Sequence, residues 1–592
     1  MQHNSLSKIR AEMKNLGLEA LIIPSTDPHK SEYITDYWKC REWLTGFTGS
    51  AGTAIITNEH AGLWTDSRYF IQAEKELIKP FELHKQLTKQ PEYIEWLVQN
   101  LSYDQTLGYN GSLFSVSEVN FIESKLSVKQ IKLVDIGDIF DEIWMDRPAQ
   151  PTNTIIEHDI KYAGKTRIEK LNALYEQIKG IGATNLLISK LDDIAWLLNI
   201  RGSDIQYNPV VSSYFMIKDK QFHFFIDKNK ITDDLYQTLS NDKITIHAYM
   251  DINIELESIK NYSQIIIEKN ALNNSLYNCI PTECETINVP DLIAQIKTIK
   301  NNTEIENYKK AQLRDGIAVC EFLQWLEDNY NVEDITELSA AEKLESFRSA
   351  KENFMGLSFG SISAFGANAA LPHYSATSES DTILADNNLY LIDSGGQYLD
   401  GTTDITRTIC LGQPSPQQIE DFTLVLKGHI KLASAIFPKG TKGYQLDTLT
   451  REALWTKEKN YGHGAGHGIG FFLNVHEGPQ GFSPEANGPA GKPLAPGMLT
   501  TNEPGFYLEG EYGIRIENIL LCTNYSTNNI GEFLKFKTIS YCPIDTDLIN
   551  IDLLTQEELN WLNNYHKETY EKLEPFADSE LKKWLKIKTK SI

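Results

Sequence analysis

Between Asp393 and Glu517 the chain places four acidic side chains in or beside strand-type runs and one imidazole in a glycine-rich loop. They are Asp393 in LIDSGGQY, Asp404 in GTTDITRT, His467 in GAGHGIG, Glu503 in TTNEPGFY and Glu517 in GIRIENI. Like charges a few ångströms apart in a protein interior cannot all remain ionised. Two divalent cations sharing bridging carboxylates resolve that conflict. The rest of the chain is therefore read as a frame that holds this site, roofs it and admits a substrate.

The local sequence supports each position. Asp393 ends the apolar run Leu389 to Ile392, where a carboxylate has little to satisfy it except a partner or a metal. Asp404 opens a β-branched run, and the glycines at 395, 396 and 401 allow the chain to reverse between the two aspartates. Both Gly395-Gly396 and Asp400-Gly401 suit the turn, so the register stays open. Either aspartate alone reads as a turn or cap residue; the spaced set reverses that balance. Gly462 to Gly470 (GHGAGHGIG) is too rich in glycine for a helix, so His463 and His467 are not a helical zinc pair. Its glycines are expected to let the backbone approach a ligand closely. It also lacks the fingerprint of a phosphate loop. Pro504 keeps Glu503 extended. In Ile514-Arg515-Ile516-Glu517 a period of two puts Arg515 and Glu517 on one face, although a buried Arg–Glu pair without metal also fits that tetrapeptide alone.

A mostly carboxylate set with one histidine suits hard or borderline ions, manganese first, with zinc and cobalt as alternatives. Two such ions about 3.5–4 Å apart ionise a water and clamp a tetrahedral intermediate. His373 in LPHYS and His476 in NVHEGP are donors suited to stabilising an oxyanion or moving a proton.

With 592 residues the chain is too long for one core. The helical spacing of residues 7–16, the buried run Leu21 to Ile23 and the strands 53–57 and 62–65 describe an α/β unit. The proline-bearing segment 144–151 reads as a linker. The plan then recurs: a helix over 167–179, the run Leu186 to Ile188, and a strand pair at 214–217 and 222–226. A Trp-Leu pair also recurs, at Trp43-Leu44 and Trp196-Leu197, which suggests duplication. A long helix is expected behind a Thr303/Glu306 capping box, and a second near Ser339 with Glu342. Residues 555–590 read as terminal helices. The net charge of −24 argues against a nucleic-acid partner and disfavours anionic membranes. Seven scattered cysteines read as free thiols in a reducing compartment. The first residues lack the apolar core of a signal peptide, and no apolar run spans a membrane, so a cytoplasmic protein is expected.

These motifs, with IIPSTDPHKSEYI, GFTGSAGTAIIT, WTDSRYF, DDIAWLLNIRGSD and GHGAGHGIGFFLNVHEGP, resemble the pita-bread metallopeptidases. Over nearly the whole chain they are similar to the three-domain aminopeptidase P group of that family. The resemblance implies an α/β (α+β) chain with two related creatinase-like N-terminal domains, 1–147 and 148–298. A pita-bread catalytic domain with a C-terminal helical extension would follow at 299–592. It implies a homodimer that removes the first residue of peptides with proline second, through a bridging hydroxide on a dinuclear site. One ion would be held by Asp404, His467, Glu503 and Glu517, the other by Asp393, Asp404 and Glu517. Glu503 matches the general base. His373, His463 and His476 match substrate contacts, Arg515 a partner of the bridging carboxylates, and Arg68 an N-domain arginine that reaches toward peptide. Asn502 departs from the family's usual aspartate. The rival readings are a prolidase-like dipeptidase and a metal-free binding or chaperone relative.

Overall fold

The structure is a computed structural model and describes residues 5–88 and 90–592. The chain divides into two compact units. The first holds residues up to 157 together with 166–206 and 210–290, and the second holds 291–592 together with the short pieces 158–165 and 207–209.

Two six-stranded sheets build the first unit. In one, the central strand Ala20–Pro24 pairs antiparallel with Thr53–Thr57 and parallel with Thr106–Tyr109. Thr53–Thr57 runs antiparallel to Ala61–Asp66, which is parallel to the edge strand Glu82–Gln86. Lys132–Asp135 closes the opposite edge in parallel. The other sheet repeats every step. Asn185–Ile188 is central, antiparallel to Ser213–Lys218 and parallel to Gln264–Ile267. Gln221–Ile226 follows antiparallel, Ile244–His247 parallel, and Glu285–Asn288 closes the other edge. Identical strand order and direction make these two related α/β domains, as the recurring rhythm of the sequence predicts. The helix before each central strand obeys its local signals: Ile9 and Met13 of Ser5–Asn15 are fully buried, and Arg167–Ile181 ends on Gly182 at φ 93°.

In the second unit the 28-residue helix Asn302–Asn329 is capped by Asn301 and Glu304, two residues earlier than the Thr303/Glu306 pattern suggests. Likewise Thr336 and Ser339 cap Glu337–Ser349, ahead of the expected start at Ser339. In both cases an earlier N-cap side chain, Asn301 or Thr336, takes the amide hydrogen of the third helical residue first. Strands Ile362–Phe365, Asn388–Ser394 and Ile405–Leu411 form one antiparallel sheet. Ile436–Pro438, Gly531–Thr538, Asn518–Asn528 and Leu499–Asn502 form another. Helices Gln556–Leu573 and Ser579–Lys588 end the chain, with Leu562, Leu581 and Leu585 buried. All seven cysteines carry free thiols. Among the described residues no helix is long and apolar enough to cross a membrane.

Candidate metal centre

The sheets of the second unit bring the acidic positions together. Asp393 and Asp404 stand at the joined ends of two antiparallel strands, with Asp393 opposite Thr406. A small hairpin, Gly396–Tyr398 against Gly401–Thr402, reverses the chain at Leu399-Asp400, which settles the open register. Gly395 is required there, because a Cβ would lie 2.0 Å from the Thr403 carbonyl oxygen. Glu503 follows strand Leu499–Asn502, and Glu517 precedes Asn518–Asn528, which pairs with it. Ile514 and Ile516 are buried in the apolar core, leaving Arg515 and Glu517 for the opposite side.

The glycine loop places His467. Four of its five glycines, Gly462 excepted, serve contact with neighbouring backbone, whereas the sequence suggested approach to a ligand. A Cβ on Gly466 would meet the Thr501 carbonyl at 2.1 Å, and one on Gly468 the Glu477 carbonyl at 2.1 Å. The short bridge Gly466–His467 to Gly481–Phe482 and the bond from His467 N–H to Thr501 Oγ1 at 2.9 Å fix the residue.

Donor atoms of Asp404, His467 and Glu517 lie within 4.8 Å of one another. His467 Nε2 is 3.4 Å from Asp404 Oδ2 and 3.5 Å from Glu503 Oε1. The other ring nitrogen, Nδ1, faces the Gly468 carbonyl at 3.0 Å and must donate to it. Nε2 therefore points a lone pair at two carboxylates, neither of which can donate when ionised. Either a proton or a metal cation has to stand there. With a proton in that place, burial lowers the imidazole pKa, but the Asp404 hydrogen bond and the field of Glu503 outweigh it and bring it to about 9.

The acids show the same strain. Burial, then Asp404, Asp393 and Glu503, hold Glu517 well above the carboxylate range, although Thr406 Oγ1 donates to its Oε2 at 2.6 Å. Burial raises Asp404, and the charge of Asp393 adds to it against His467. Burial and Asp404 raise Glu503, whose Oε1 accepts from Thr501 Oγ1 at 3.2 Å. Asp393 accepts from Arg515 Nη2 on Oδ2 at 2.7 Å, while its buried Oδ1 has no hydrogen-bond partner. An orphaned carboxylate oxygen beside three acids of raised pKa fits a set of oxygen ligands for divalent cations.

Around this cluster His476 lies with its ring centroid 4.3 Å from that of His467, edge to face. His463 Nδ1 faces the Gly464 carbonyl at 2.7 Å and so carries the proton. Burial and Arg515 lower the His463 pKa to about 3, so its neutral Nε2 accepts from the Tyr507 hydroxyl at 2.8 Å. That hydroxyl accepts from Arg515 Nη1 at 2.6 Å. The sequence reading missed Tyr507. Nothing local in the sequence marks it, because its partners His463 and Arg515 come from other elements. His373 is exposed, in the turn after the short helix Gly366–Ala370, and its charge reaches His463. Arg68 belongs to the first unit, where it pairs with Asp66 through Nη2 to Oδ2 at 2.8 Å. Asn502 donates from Nδ2 to the His429 carbonyl at 2.9 Å, a role an ionised aspartate cannot fill.

Residues 306–524 match metallopeptidase family M24, and 532–592 match the C-terminal region of peptidase M24. Residues 6–145 and 146–304 each match a creatinase/prolidase N-terminal domain. The chain is 40% identical to the "Probable Xaa-Pro aminopeptidase P" of Laccaria bicolor, over 98% of this chain and 92% of that protein. It is similar to the crystal structure of the X-prolyl aminopeptidase of Caenorhabditis elegans, described as a cytosolic enzyme with a di-nuclear active site. The TM-score is 0.93 at 34% identity, covering all of both chains. A Bacillus anthracis Xaa-Pro dipeptidase structure aligns with 64% of this chain and 99% of its own, with a TM-score of 0.52 at 25% identity. The chain belongs to metallopeptidase family M24, as a metallo-aminopeptidase whose M24 domain follows two creatinase/prolidase N-terminal domains.

Proposed function

We propose that the protein removes the N-terminal residue from peptides whose second residue is proline, using two divalent cations, manganese first. One cation would be held by Asp404, His467, Glu503 and Glu517, the other by Asp393, Asp404 and Glu517. The observation that carries this reading is the His467 lone pair directed at Asp404 and Glu503 with its second nitrogen already committed. Bound there, the cations supply Lewis acidity and a water that loses its proton near neutral pH.

The chain's own groups do the rest. Glu503 accepts the proton of the attacking water and returns it to the leaving proline nitrogen, which carries no hydrogen of its own in the peptide bond. Arg515 holds Asp393 and, through Tyr507, the neutral His463. His476 and His373 donate to the carbonyl oxygen as charge develops on it. The resemblance alone assigns Arg68 to substrate. The full-length likeness to a protein described as cytosolic supports a cytoplasmic enzyme, and we read it as a homodimer.

The test is metal-stripped protein reloaded with manganese, zinc or cobalt and offered an Xaa-Pro dipeptide and a longer Xaa-Pro peptide. Cleavage of the longer peptide at its first bond is expected. Cleavage of the dipeptide alone would replace this reading with a prolidase.

A further inference from the structure

We propose that His60, Glu82 and His84 form a zinc site on the first six-stranded sheet, in the unit that does not carry the M24 centre. His60 Nε2 and His84 Nε2 face each other at 3.2 Å. Two nitrogens on one tetrahedral zinc, each about 2.0–2.1 Å from it, stand about 3.3 Å apart. Glu82 Oε2 is 4.0 Å from His60 Nδ1, the ring nitrogen that does not face His84, and one donor atom from each of the three residues falls within 4.8 Å of the others. Two histidines and a carboxylate are a zinc set that leaves a fourth position for water. Glu82 is exposed, so that position opens to solvent.

The backbone builds the group. Glu82 and His84 alternate onto one face of the edge strand Glu82–Gln86. His60 reaches that face from the turn before Ala61–Asp66, over Gly62, which pairs with Glu82. A Cβ on Gly62 would lie 2.6 Å from His60 Nε2 and 2.8 Å from His84 Cδ2, so any larger residue there would push the two rings from these positions. Trp64 stacks on His84 with centroids 3.9 Å apart and planes 8° off parallel, and Trp96 lies 4.7 Å from His60. Ring stacking thereby holds the orientation of both imidazoles. Burial lowers the pKa of both histidines, which favours the neutral form that metals bind.

The duplicated sheet supplies an internal comparison. His247 sits on its edge strand as His84 does, against Phe225 in the place of Trp64. His223 Nδ1 faces His247 Nε2 at 3.0 Å. The residue two before His247 is Thr245, where the first sheet has Glu82. The second sheet thus keeps a histidine pair with no carboxylate at that strand position, its neighbouring acid Glu255 being paired with Lys218 at 2.6 Å; the first adds the third donor on the strand itself.

The probe is zinc itself, titrated into the metal-stripped full-length protein against a chromophoric chelator. Wild type should bind one equivalent more than His84→Ala. Glu82→Gln, a change at an exposed side chain, should bind that equivalent at least about tenfold more weakly. Comparing variants with wild type cancels whatever the M24 centre binds, so the outcome is independent of the catalytic reading. If His84→Ala does not fold, Glu82→Gln decides. Equal zinc equivalents and equal affinities in wild type and the folded variants would overturn the site.

Discussion

Arg515 holds one oxygen of Asp393 at 2.7 Å, and the other oxygen of that carboxylate is buried with no partner. One side of the carboxylate is thus locked while the other is left for a cation. A lysine offers one compact ammonium in place of the two guanidinium nitrogens that serve Tyr507 and Asp393 separately. Arg515→Lys is expected to weaken metal binding by about 10–100-fold with the fold retained. Titration of the stripped variant with manganese, followed by circular dichroism, checks both parts.

Glu503→Gln removes the proposed base and replaces a charged ligand by a neutral one. Turnover of a longer Xaa-Pro peptide should fall by about 10²–10⁴-fold or more. The metal-free variant should melt no lower than wild type, because burial and Asp404 hold the Glu503 pKa up and ionisation there opposes folding. Activity within a few-fold of wild type would remove Glu503 from the reaction.

Two glycines of one loop make a matched pair. Gly466→Ala drives a Cβ onto the Thr501 carbonyl, whereas nothing lies within 4 Å of a Cβ on Gly462. The first is expected to cost about 1–3 kcal/mol and to displace His467, lowering metal content; the second should be near neutral. Denaturant midpoints and bound metal per chain separate them.

Acid should destabilise the protein through two buried neutral imidazoles. Burial and Arg407 lower His429 to about 3 and His566 to about 4. An unfolded histidine takes up a proton below about 6.5, while these folded rings refuse it until near 3 and 4. The unfolded chain therefore binds more protons in that window, and stability falls as pH drops through it. At pH 5 each ring costs about 2 kcal/mol relative to neutral pH. His429→Gln should be less stable at pH 7 but lose about 2 kcal/mol less between pH 7 and pH 5, measured by chemical denaturation of the metal-free forms.

Much of this architecture can be read from residue order, for physical reasons. Asp393, Asp404, Glu503 and Glu517 stand out together with His467 because, although each alone has an ordinary structural reading, so many acids beside apolar runs need cations to coexist. The repeated sheets are visible because each buried central strand follows an amphipathic helix and precedes a hairpin. What escaped the sequence was decided by distant parts of the chain. The reversal at Leu399-Asp400 depends on Gly395 meeting Thr403 and Ser358. The glycines beside His467 answer to carbonyls of Thr501 and Glu477 rather than to a ligand. Tyr507 gains its place only once His463 and Arg515 are brought to either side of its hydroxyl.

The pieces 158–165 and 207–209 belong to the second unit although the chain around them folds into the first. Asn301 and Asn307 donate to the carbonyls of Ala163 and Lys161, Gln397 donates to that of Tyr207, and His158 Nε2 faces the Leu399 carbonyl at 2.7 Å. No single cut between the N-terminal domains and residue 291 frees the M24 half intact. A gene fragment beginning there would encode a peptidase missing the stitches at the hairpin between Asp393 and Asp404, so transplanting this chemistry onto another scaffold means supplying the pieces 158–165 and 207–209 as well.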